Sequence, residues 1–184
     1  MRLSADGGLT WTNVVDNGPL DSNPQVGFVT YAGPVGDWVV VIAQGFGLPA
    51  TGSAINPTMD ASTTDISAGP ATLIVQMSDT NFVPFPNETY IGSVTATVAG
   101  SLTYNVYRDS GNVLFGSTAN YGNPGVSPSG SAAQLFSEGA FGIGTAIASN
   151  AVTVPNGSGP YSLTLETLIT HTDAGTTLSD AFLK

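Results

Sequence analysis

Basic residues are almost missing from this chain. Arg2, Arg108 and Lys184 are the only three in 184 residues, against thirteen Asp and Glu. Charged side chains make up 9% of the sequence, where a soluble domain usually carries about 25%. Nucleic-acid binding needs clustered Lys and Arg, so that class is excluded, and a net charge of -10 also repels anionic lipid. Cysteine is absent, which removes disulfides, thiolate metal sites and cysteine nucleophiles together. No apolar run approaches the roughly 20 residues of a membrane-spanning helix; the longest covers 38–43. The N-terminal residues contain no signal-peptide core. Helix formers are scarce too. Twenty-three Gly and twelve Pro break the chain too often for long helices, and the best helical candidate, 132–138, is barely two turns.

What is present is a β-pattern. The 41% hydrophobic content suffices for a packed core. Leu73, Val75 and Met77 fall on one face at a period of two, as do Tyr90, Val94, Ala96 and Val98, then Leu102, Tyr104 and Val106, then Phe141, Ile143, Thr145 and Ile147. The clearest series is Tyr161, Leu163, Leu165, Thr167 and Ile169, with Ser162, Thr164, Glu166 and Thr170 expected on a wet face. The run WVVVIA at 38–43 reads as a strand buried on both faces. Turn clusters separate these segments throughout, and 121–131 reads as a loop. The pattern predicts one domain over 1–184: an antiparallel β-sandwich or jelly roll of about ten strands with at most one short helix.

The chemistry-bearing residues are few. His171 is the sole histidine, and with no G-x-S-x-G motif nearby it reads as a hydrogen-bonded structural residue at a strand end. Glu88, Glu138 and Glu166 are the only glutamates, and most aspartates sit beside turn formers, so no catalytic carboxylate pair is legible. No catalytic residue is therefore assigned. For Ca²⁺, which takes loop oxygens, the best candidates are Asp16, Asp21, Asp109 and Asn112, with Asx-turns as the plain alternative. Asn87-Glu88-Thr89 and Asn156-Gly157-Ser158 match the N-glycosylation pattern, and Asn156-Gly157 reads more simply as a turn. Among the aromatics, Trp38 belongs to the core, while Trp11, Tyr107 and Tyr121 are the candidates for an exposed platform.

The C-terminal residues Gly159-Pro160-Tyr161-Ser162-Leu163-Thr164-Leu165, then Ile169-Thr170-His171-Thr172 and Ala174-Gly175-Thr176-Thr177, resemble the last strands of a PEP-CTERM surface protein family. Ser4-Ala5-Asp6-Gly7-Gly8, Asn23-Pro24, Gly52-Ser53-Ala54 and the Ser78-Asp79-Thr80 core of 73–82 agree in order. The resemblance covers most of the chain as a pattern. It implies a Gram-negative protein, cut by an exosortase-like enzyme and held at the cell surface or in the biofilm matrix. The family's signal peptide and sorting tail are absent, as expected of a doubly processed chain, and Met1 departs from that expectation. The resemblance carries no active site.

The leading expectation is a non-enzymatic extracellular structural protein. Its sharper form is a fibre subunit joined by strand addition, because sheet edges here have no lysine guards. The exchanged segment would be 2–16 or 176–184, with Leu178 and Phe182 filling a neighbour's groove. The alternative is a jelly-roll carbohydrate-binding module with a matrix polysaccharide as ligand. A hydrolase would need a cleft of convergent titratable groups.

Overall fold

The computed structural model describes residues 1–118, 130–155 and 157–184. Twelve strands form two antiparallel six-stranded sheets, and no helix occurs among the described residues. In chain order the strands are β1 (Arg2–Ser4), β2 (Thr12–Asn13), β3 (Phe28–Val35), β4 (Trp38–Phe46), β5 (Met59–Ser67), β6 (Ala71–Phe82), β7 (Glu88–Val98), β8 (Ser101–Asp109), β9 (Ala132–Phe141), β10 (Gly144–Val154), β11 (Tyr161–His171) and β12 (Gly175–Leu183). Sheet A runs β2-β1-β6-β11-β8-β9, and sheet B runs β10-β7-β12-β5-β4-β3. From β5 onward the chain crosses between sheets at every connection except β8 to β9, the behaviour of a jelly-roll-like sandwich.

The inner faces follow the alternation. Leu73, Val75 and Met77 of β6, Leu102, Tyr104 and Val106 of β8, and Leu163, Leu165 and Ile169 of β11 are all buried in one core. Tyr90, Val94, Ala96 and Val98 meet them from β7. Gly92 lies in the same inward series, where the ring of Phe136 occupies the space a Cβ would need. At one end Tyr161 packs between Phe82 and Tyr90. The hydroxyls of Tyr90 and Tyr161 donate to Glu88 at 2.9 and 2.8 Å, and the Arg108 guanidinium lies over the Tyr161 ring.

Four expectations are corrected. Segment 132–138 is the start of β9: its register with β8 overrides the local helix propensity of Ala, Gln, Leu and Glu. The 38–43 run is buried on one face only, because Val39, Val41 and Ile42 are exposed. A register shift between Val40 and Ile42 breaks its alternation. Ile143 and Ile147 point to solvent, because residues 142–143 connect β9 to β10 and the phase changes sheet there. Ser162, Thr164 and Glu166 are buried rather than wet.

Both chain ends are paired within the chain. β12 lies between β5 and β7, and β1 between β2 and β6. β1 and β12 are thus interior strands, and the only edge within segments 2–16 and 176–184 is the two-residue β2.

Candidate functional site

The outer faces of the two sheets have different fates. On sheet A, segment 110–117 folds across β6, β11 and β8. Phe115 N–H donates to Ser78 Oγ at 2.9 Å, and Ser162 Oγ donates to the Val113 carbonyl at 2.6 Å. The same face holds a buried polar network. Glu166 accepts from Gln76 Nε2, from Asn105 Nδ2 at 3.0 Å and from Tyr107 OH at 3.2 Å. Arg2 Nε donates to Gln76 Oε1 at 2.6 Å, and its guanidinium sits 3.9 Å from the Trp11 ring centroid and 4.4 Å from that of Phe115. Tyr107 is thus buried, a correction to its place among the exposed aromatics. Trp11 is half-buried against Arg2. Tyr121 and Asn156 lie outside the described residues.

On sheet B the outer side chains stand open to solvent in cross-strand rows fixed by the registers. One row reads Thr145, Thr97, Leu178, Thr64, Ile42. The next reads Ile147, Thr95, Asp180, Ser62, Gln44. The third contains Phe182, Asp60, Phe46 and Phe28, with the last two rings stacked at 4.0 Å. A trough of about 410 Å³ crosses β4, β5, β12 and β7 along the first two rows. Its polar groups are short hydroxyls, one amide and the Asp180 carboxyl; its apolar patches are Ile42 and Leu178. Of the two residues named from sequence for assembly, Leu178 lines this trough and Phe182 stands in the third row beside it, on a strand whose edges are both occupied.

Asp60 and Asp180 are the acidic pair of this face. Partial burial, then the neighbouring Asp180 charge and its hydrogen bond, push the Asp60 carboxyl up to about 6. The Asp60 carboxyl thus keeps its proton into mildly acidic water.

The remaining sequence candidates lie away from the trough and make hydrogen bonds within the fold. His171 is buried beside Trp38. Its Nδ1 is 2.8 Å from Ser67 Oγ, which donates to the Gly69 carbonyl. Its Nε2 is 2.7 Å from Thr177 Oγ1, which accepts from Ala99 N–H. These directions fit a neutral ring protonated on Nδ1, and burial lowers its pKa in agreement. Asp16 and Asp21 lie in one loop region, but their oxygens accept main-chain N–H groups of Gly27, Asn17, Asn23 and Thr30. Asp109 accepts from Gly111 N–H and Ser131 Oγ. Asn112, at φ 56°, exchanges amide hydrogen bonds with Asn81. Some of these contacts close turns, and others tie separate loops together. Among the described residues no three His, Cys, Asp or Glu side chains cluster as a metal site. A second cavity of about 260 Å³ opens at one end of the sandwich between Met1, Val14, Leu48, Met77 and Phe115. Its Asp79 carboxylate is held by the N–H groups of Leu48 and Thr80.

Sequence reasoning missed the trough. Its residues come from four strands spread over 42–180, and only the register brings them together.

No protein-family model matches the chain, and no curated protein matches it. Solved structures do resemble it. One is a β-sandwich carbohydrate-binding module studied for promiscuous specificity, with TM-score 0.40 and 11% identity, covering 92% of this chain. This chain spans 61% of that one's length. Another is TmCBM61 in complex with β-1,4-galactotriose, with TM-score 0.35 and 8% identity over 94% of this chain and 99% of that one. A third is the K1 cleaved adhesin domain of Lys-gingipain from Porphyromonas gingivalis, with TM-score 0.34 and 12% identity over 85% of this chain and 97% of that one.

Proposed function

We propose that this chain is a non-catalytic recognition module, working outside the cell, that binds a polysaccharide across the open face of sheet B. The observation that carries this reading is the uncovered trough, where short hydroxyls, Gln44 and the Asp60/Asp180 pair stand beside a row of phenyl rings. A pyranose offers equatorial hydroxyls that pair with carboxyl and amide groups, and C–H faces that pack on aliphatic and aromatic side chains. The ligand is neutral or amino-bearing, since the trough's charged groups are acidic and the whole chain carries -10. Asp60 and Asp180 are diagonal neighbours across β5 and β12, close enough for Asp180 to raise the Asp60 pKa, an arrangement suited to gripping a diol.

The test is affinity electrophoresis against a panel of neutral and acidic polysaccharides, with Asp180→Ala and Phe182→Ala beside the parent. The reading expects retardation by at least one neutral glycan, lost by about tenfold or more in affinity in both variants with unchanged folding. Retardation by none of the panel, or equal retardation of the variants, refutes it.

A further inference from the structure

Among the described residues the sandwich has four strand edges, and three are blunted. β2 is two residues long. β9 carries two register shifts and Glu138. β3 contains Pro34 and a register shift, and its Thr30 main chain is already taken: the N–H by Asp21 and the carbonyl by Ser22 N–H. These are the devices by which sheets avoid edge-to-edge association. The fourth edge, β10, has none of them. Its eleven residues, GTAIASNAVTV, contain no Pro and no charge, and pair with β7 without a single shift.

The direction of its main chain is fixed. Ile91 of β7 exchanges both hydrogen bonds with Lys184 on the β12 side, so the alternate residues Tyr90, Gly92, Val94 and Ala96 face β10. Their partners are Val152, Asn150, Ala148 and Ala146. Thr145, Ile147, Ser149, Ala151 and Thr153 therefore turn N–H and C=O to the free edge. One of these donors, Ala151 N–H, is held by the exposed Asn150 side chain at 2.8 Å, which swings away when a strand docks.

We infer that this edge is a homotypic strand-addition site: β10 of one copy pairs antiparallel with β10 of a second about a two-fold axis at Ser149. The occupant follows from the sequence of the strand. Full overlap sets Ser149 against the partner's Ser149, Thr145 against the partner's Thr153, and Ile147, which is 75% exposed, against the partner's Ala151. Hydroxyl meets hydroxyl and apolar meets apolar, as a self-complementary interface requires. The absence of charge along β10 lets two copies meet despite their net charge of -10. The junction adds about ten main-chain hydrogen bonds and joins the two B sheets, placing their open faces side by side. It is a closed pair, distinct from a fibre built by exchange of chain ends, and it does not depend on the glycan reading.

The absence of cysteine makes the register testable. In Ser149→Cys the two introduced thiols lie across a hydrogen-bonded pair, about 5.5 Å between Cα atoms, inside the range a disulfide spans. In Thr145→Cys they are displaced by roughly eight residues, about 26 Å. Sedimentation velocity of the parent protein is expected to show a concentration-dependent dimer. Ser149→Lys, at an exposed position, sets like charges face to face and weakens that dimer by about tenfold or more. Mild oxidation links Ser149→Cys and leaves Thr145→Cys monomeric on a denaturing gel. A monomer at all concentrations, a dimer indifferent to Ser149→Lys, or equal cross-linking at both positions overturns the inference.

Discussion

Sheet A and sheet B present outer strands of similar composition, rich in Ser, Thr, Asn and Gln, yet one surface is sealed and the other open. On sheet A the polar side chains are longer and converge on one carboxylate, Glu166, which collects donors from β6 and β8. A loop docks on the same face because its Phe115 and Val113 main chain finds partners in Ser78 and Ser162. On sheet B the polar groups are short, dispersed in rows, and left to water. Polarity alone therefore does not mark a functional face. What separates the two is whether the polar groups satisfy one another or wait for something else to do so.

The comparison predicts unequal costs for similar changes. The largest is on sheet A. Glu166→Ala orphans buried donors on Gln76, Asn105 and Tyr107, and is expected to cost roughly 3–9 kcal/mol at about 1–3 per orphaned group, read from urea denaturation. Leu165→Ala, on the opposite side of the same strand and fully buried, is expected to cost about 2–5 kcal/mol.

A second contrast lies within β5. Asp65 faces the interior and burial pushes it up to about 7, opposed by the Thr63 hydroxyl; Asp60 faces outward and reaches about 6. Both folded pKa values exceed the unfolded value near 3.8, so the folded form is favoured at low pH and loses stability as pH rises through the raised pKa. For Asp65 the loss between about pH 4 and 7 is on the order of 4 kcal/mol, and Asp65→Asn is expected to flatten it in thermal melts. Asp60 is screened by solvent, so Asp60→Asn changes the same profile by less than about 1 kcal/mol. His171 has the opposite sign. Its pKa is lowered, so its contribution is present above the unfolded value near 6.5 and fades as pH falls below it. The smallest effect is Thr64→Ala or Thr95→Ala in the open trough, within about 0.5 kcal/mol.

The inner faces of β6, β8 and β11 were legible in the sequence because a period of two survives wherever one face is buried. It misled where the outer face is not simply wet. Ser162, Thr164 and Glu166 read as solvent-facing because nothing local announces the covering loop. Val39, Val41 and Ile42 read as core because an apolar run carries no local sign that one of its faces is left open to solvent. Ile143 and Ile147 kept the alternation in print while the chain changed sheets between them. The trough itself depends on registers such as Asp180 with Ser62 and Thr95, separated by more than a hundred residues in one case. No local pattern encodes them.

The central claim is that the open face of sheet B is where this molecule meets its ligand. Amide chemical-shift mapping with a bound neutral polysaccharide fragment tests it most directly. The account predicts perturbations concentrated on Gln44, Ser62, Thr95 and Asp180, with the covered face around Glu166 silent. Perturbations confined to the end cavity around Leu48 and Phe115, or spread over sheet A, would contradict it.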